Sequence, residues 1–126
     1  MPEATLRVPD SIHAIAAGHV ITWFTPTDTD GDEFENTSGT VMVLVKNDST
    51  TLPTDVTIVA PQPCSRGFYH DVEAAVALGT TWGSTILAAD LFAAPETTLT
   101  VIKCSAVTDV KMAFIQLSFV PELLDI

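Results

Sequence analysis

Thr40-Val41-Met42-Val43-Leu44-Val45-Lys46-Asn47 is the stretch that decides the fold. Five apolar residues run unbroken from Val41 to Val45, three of them valine, with Gly39 before and Asn47-Asp48 after as punctuation. A β-branched run this short is too brief for an ordinary helix and reads as a strand buried on both faces. It is expected to be the central strand of an all-β core.

Working toward the C-terminus, Asp55-Val56-Thr57-Ile58-Val59-Ala60 alternates, with Val56 and Ile58 on one face. Pro61-Gln62-Pro63 must end that strand, because proline has no N–H to give a ladder. Residues 68–78 read as a loop leading into a strand, with a short helix over the good helix formers of 73–78 as the alternative. Gly79-Thr80-Thr81-Trp82-Gly83 closes that segment, Thr85-Ile86-Leu87 reads as a short strand, and residues 88–92 as a small helical turn before Pro95. Residues 97–104 are expected to be a strand with Leu99 and Val101 inside. In the last strand, 109–119, Val110, Met112 and Phe114 face opposite to Ala113, Ile115, Leu117 and Phe119.

Toward the N-terminus, Asp28-Thr29-Asp30-Gly31-Asp32-Glu33-Phe34-Glu35-Asn36 holds the densest charge, and Gly31 between aspartates marks a tight turn. His19-Val20-Ile21-Thr22-Trp23-Phe24 is aromatic and partly alternating, a strand closed by Thr25-Pro26. Residues 1–18 form an arm or edge piece in which 12–17 has the makings of a helical turn stopped by Gly18, and 120–126 form a loose tail after Pro121. Short strands between turn signals, with no long helix, give a single-domain antiparallel β-sandwich over 1–126, jelly-roll-like, with at most short helical turns.

Charge narrows the function classes. The 126 residues carry 16 acids against 5 bases, a net charge of −11, so the surface repels nucleic-acid phosphates and anionic membranes alike. Apolar residues nevertheless make up 47%, which excludes acidic disorder. Charged residues are only 17%, so much of the surface must be Thr, Ser and apolar side chains, some of it expected to meet another subunit. The start, Met1-Pro2-Glu3-Ala4-Thr5-Leu6-Arg7, lacks the basic-then-apolar pattern of a secretion signal, and no apolar run approaches the ~20 residues of a membrane span. Cys64 and Cys104 fit no metal spacing; they read as two small buried hydrophobes, with an inter-strand disulfide as the alternative.

Asp28, Asp30 and Asp32 place carboxylates at alternate positions, as a Ca²⁺ loop does. The glycine comes one place early and the twelfth position is Gly39, so this is no EF-hand; a looser cation loop competes with a solvated turn screened by salt. Histidines 13, 19 and 70 are scattered without zinc spacing. His70-Asp71 near Ser65 makes no triad, since neighbours on an extended chain point apart, and no G-x-S-x-G elbow exists. Cys64 carries no local signature of a catalytic thiol. No enzyme is expected, and no cofactor beyond that Ca²⁺. Trp23, Phe68, Tyr69 and Trp82 are either a sugar-stacking platform or core and interface anchors.

Three pieces carry a resemblance: Asp30-Gly31-Asp32-Glu33-Phe34-Glu35-Asn36-Thr37-Ser38-Gly39 leading into Val43-Leu44-Val45-Lys46-Asn47-Asp48-Ser49; Asp55-Val56-Thr57-Ile58-Val59-Ala60-Pro61; and the paired run from Leu99-Thr100-Val101-Ile102 to Ala113-Phe114-Ile115-Gln116-Leu117. Their order over residues 30–119 resembles small decoration, cement or turret proteins on the heads of tailed viruses of bacteria and archaea. The resemblance implies a β-sandwich on the capsid exterior, made in the host cytoplasm. It implies binding to the major capsid protein as a symmetric oligomer, a trimer above others, and it brings no catalytic residues. Residues 68–94 depart from the pattern with a longer, alanine-rich insert. A carbohydrate- or receptor-binding module on a spike or fibre is the alternative. An acid-rich surface with only Lys46, Lys103 and Lys111 also suits a virus of a salt-loving host.

Overall fold

The computed structural model describes residues 4–13, 21–37 and 39–118. Strands numbered in chain order form two sheets. The first, of five strands, runs β1 (Thr5–Leu6), β3 (Asp32–Glu35), β8 (Leu99–Cys104), β5 (Thr54–Ile58), β6 (Val72–Val76). The second, of four, runs β2 (Asp10–His13), β9 (Val110–Ser118), β4 (Val41–Asn47), β7 (Thr81–Gly83). One helical turn, α1 (Ala89–Phe92), sits before β8. The chain is a small β-sandwich. Among the described residues no helix is long and apolar enough to cross a membrane.

The valine run is β4, an interior strand between β9 and β7. Val41, Val43 and Val45 are fully buried, while Met42 and Leu44 are half-buried. Burial on both faces is therefore half right: alternate side chains point to opposite sides, and only one side of each sheet faces the inter-sheet core. On β9 the inward set Val110, Met112 and Phe114 is buried, and so are the outward Ala113 and Ile115. Val43 lies opposite Phe114 and Val45 opposite Met112, which brings the two inward sets together. The first sheet answers with Phe34, Val56, Ile58, Val76 and Ile102. Phe114 binds the layers: its ring centroid is 4.7 Å from that of Phe34 and 5.1 Å from that of Phe24, both in tilted or edge-on contact.

In β8 the expected inside pair is corrected. Thr100, Ile102 and Cys104 face the core, and Leu99 and Val101 lie half-buried on the outer face opposite Glu35 and Glu33. Both sets are largely apolar, so alternation could not choose; the inward Thr100 is tolerated because its hydroxyl donates to Phe92 O at 2.9 Å and accepts from Asn36 Nδ2 at 3.1 Å.

The expected strand over 19–24 reduces to a single bridge, Phe24 with Met112; His19 and Val20 lie outside the described residues. β2 already occupies that edge of β9 from Ile115 to Ser118, leaving a short stretch for a second partner. Nor is Thr85-Ile86-Leu87 a strand. The ladder forms earlier, at Thr81–Gly83, where turn residues were expected, and Ser84 N to Val43 O and Leu87 N to Val41 O keep the following segment beside β4 irregularly. The expected turn around Gly31 exists, but the acidic residues 32–35 are themselves the strand β3. Both sheets are mixed, because β1 joins β3 and β2 joins β9 in parallel. The arm thus supplies one edge strand to each layer. Ile12 and His13 belong to β2; the rest of the helical turn expected there, and the tail 120–126, lie outside the described residues.

Candidate functional surfaces

The strongest polar site is at the edge closed by the arm. Asp32 is fully buried. Its Oδ1 accepts from Arg7 Nε at 3.0 Å and from Thr27 Oγ1 at 3.0 Å, and its Oδ2 accepts from Thr27 N at 2.8 Å. Arg7 also donates from Nη2 to Thr25 O at 3.3 Å and lies 4.3 Å over the Phe24 ring. Phe24 in turn bridges to Met112 of the other sheet, so one guanidinium ties both layers together. Beside it Leu6, Val8, Glu35 and Gln116 line an open hollow of about 230 Å³. The sequence carried no signal for Arg7; a lone arginine in an arm has no periodicity to betray it.

Asp28, Asp30 and Asp32 are not brought together as a cation loop. Asp32 points into the protein with both oxygens engaged, while Asp28 and Asp30 sit in the turn before it. Among the described residues no three His, Cys, Asp or Glu side chains gather to hold a metal ion. Millimolar Ca²⁺ is expected to leave the melting temperature unchanged, and a rise reversed by chelator would reinstate the loop as a ligand.

The four aromatics are also dispersed. Trp82 lies opposite Val45 in the ladder and packs on the core. The Lys46 Nζ stands 5.7 Å from the Trp23 ring, and Lys111 Nζ donates to Thr25 Oγ1 at 2.9 Å beside it. Phe68 and Tyr69 project from the β5–β6 loop, 64% and 63% exposed. Among the described residues no ring contact joins any two of the four. The outer face of the four-stranded sheet carries the apolar pairs Met42 opposite Ile115 and Leu44 opposite Ala113, followed by Lys46 opposite Lys111. Gly83 lies under Leu44, whose Cδ2 would stand 3.0 Å from an added Cβ.

The β5–β6 loop folds back on itself. Cys64 N donates to Phe68 O and Gly67 N donates to Cys64 O, both at 2.8 Å, with Gly67 at φ +83°. Both cysteines are free. The Cys64 thiol is lowered to about 7, first by the backbone of Arg66, then by that of Phe68 and by the His70 side chain. Burial pushes Cys104 up to about 11. Asp71 takes no part: its Oδ1 accepts from Ala60 N at 2.7 Å, anchoring the loop to the end of β5. The signal available was Gly67 three residues after Cys64, which permits the fold-back.

No protein-family model, curated protein or solved structure matches this chain.

Proposed function

We propose that this chain is a virion structural subunit that works by binding alone: a decoration, cement or turret protein seated on the major capsid protein outside a tailed-virus head, as a symmetric oligomer. The observation that supports this is apolar surface beyond what the two-layer core absorbs. Val8 is 91% exposed and Leu6 61%, both on the arm at the sandwich edge, with Phe68 and Tyr69 exposed on the loop. Large side chains left in water on a net −11 molecule suit coverage by neighbouring copies, while the charge keeps unassembled subunits soluble. Many copies on one particle add avidity without any one tight interface.

Light scattering at high protein concentration is expected to report a multiple of 13.4 kDa, three copies being favoured. A clean monomer would contradict the association. Electron microscopy of the parent particle should then show the sandwich outside the shell. The exposed Phe68-Tyr69 pair favours a second reading, a glycan- or receptor-binding module. Glycan titration followed by intrinsic fluorescence separates the two: a saturable change lost in Tyr69→Ala supports sugar binding.

A further inference from the structure

We propose that β6 pairs antiparallel with β6 of a second copy of this chain, about a twofold axis at Ala74, joining two five-stranded sheets edge to edge. The two sides of the sandwich are unequal. On one side the arm covers both layers, β1 along β3 and β2 along β9. On the other the layers end in β6 and β7, and among the described residues no strand pairs with the outer side of either. β7 is three residues long. β6 is five residues long, without proline, lysine or a bulge in its register with β5, the devices that guard a free edge.

The neighbouring ladder fixes where the β6 backbone points. Val59 N donates to Val101 O and Ser105 N donates to Asp55 O, so Asp55, Thr57 and Val59 turn their backbone groups toward β8. Thr54, Val56 and Ile58 must then bond β6, at Val76, Ala74 and Val72. Glu73 and Ala75 are left with N–H and C=O aimed away from the sheet, and both residues are exposed. Among the described residues no loop or side chain reaches these groups.

The edge is complementary to itself in one register. Centred on Ala74, a twofold pair sets Glu73 opposite Ala75 of the second copy, and every outward N–H and C=O of those two residues finds a partner. Centred on Glu73, the pair would set two carboxylates directly opposite one another. Centred on Ala75, Glu73 would face Ala77 of the second copy, whose C=O already accepts from Thr80 N at 3.2 Å and from Thr80 Oγ1 at 2.7 Å. The ends match as well. Phe68 and Tyr69 precede β6 and Leu78 follows it, all exposed. Antiparallel pairing brings the Phe68-Tyr69 end of one copy beside the Leu78 end of the other, which extends the contact beyond the paired strands. The contact is twofold and does not rest on the capsid reading.

The test uses the folded full chain, with salt enough to screen its charge. Sedimentation velocity over a dilution series should show a particle of twice 13.4 kDa that dissociates on dilution. Residue-resolved amide exchange should find Glu73 and Ala75 protected only at high concentration, with Ala74 and Val76, bonded to β5, slow throughout. Ala75→Pro removes an N–H that has no partner within the chain, a position where an edge strand tolerates proline. It should keep the parent's circular dichroism and weaken association about tenfold or more, because its hydrogen bonds to Glu73 are lost at both symmetric positions. A monomer at every concentration would overturn the pairing, as would a folded Ala75→Pro that associates like the parent. An assembly of any size whose Glu73 and Ala75 amides exchange as in the dilute chain would overturn it too, while leaving the capsid reading standing. The exchange measurement on the parent decides the matter even where the proline variant fails to fold.

Discussion

Gly31→Ala is expected to cost the native state about 3 kcal/mol or more, the sum of a left-handed backbone and a close backbone contact. Gly31 sits at φ +80°, where a Cβ is strained by roughly 1–2 kcal/mol. The added Cβ would also lie 2.5 Å from Ile102 O and 2.8 Å from Lys103 Cγ. The lysine stem can swing aside; the Ile102 carbonyl cannot, because it belongs to β8 in the middle of the five-stranded sheet. Relief must come from moving the turn, and Thr5 N donates to Gly31 O at 3.1 Å, so β1 would move with it. Gly67→Ala is the control. Its φ is +83°, with nothing within 4 Å of the new Cβ, so only the backbone term of about 1–2 kcal/mol applies. Urea unfolding of both variants measures the difference. Equal losses would mean that the approach to Ile102 is not tight.

Arg7→Met is expected to cost about 3 kcal/mol, a fall in melting temperature of about 10 °C for a domain of this size. Methionine preserves much of the packing over Phe24 but leaves the fully buried Asp32 carboxylate without its cation. An uncompensated buried charge costs more than the pair itself contributes, so removing one partner is the severe change. Two hydrogen bonds from Thr27 remain to satisfy the oxygens partly. Adding Asp32→Asn to Arg7→Met removes the orphaned charge and should recover part of the loss; the double-mutant cycle then gives the coupling. If Arg7→Met alone melts like the parent, the guanidinium is not what ties the layers at that edge. Because the arm supplies an edge strand to each sheet, this variant should also aggregate more readily on warming.

The legible parts of the fold were those where the local pattern admits one answer. The run Val41–Val45 was legible as a strand because it is short and β-branched, and the Val56/Ile58 face because its apolar set recurs at period two; on β9 the pattern separated Val110, Met112 and Phe114 from Ala113 and Ile115 but did not say which set faces inward. In β8 two sets compete, Leu99 and Val101 against Thr100, Ile102 and Cys104. Only pairing against Asp32 and Ile58, with partners for the Thr100 hydroxyl, decided between them. The acidic strand β3 was illegible for the opposite reason. Its alternation Asp32, Phe34 inward against Glu33, Glu35 outward puts a carboxylate at a core position, which local reasoning assigns to solvent.

Sequence by itself determined the class of fold and the character of the surface: short β-branched and aromatic runs between turns favour sheets, and a −11 charge repels polyanions whatever the fold. Tertiary structure decided everything that depends on residues distant in the chain. It turned Asp32 from a candidate cation ligand into the buried partner of Arg7, 25 residues away, and it parted Trp82 from Phe68 and Tyr69. It also added the arm in parallel to both sheet edges. Such choices are set by which backbone edges and buried charges remain unsatisfied once the strands have paired, and a linear pattern carries no record of them.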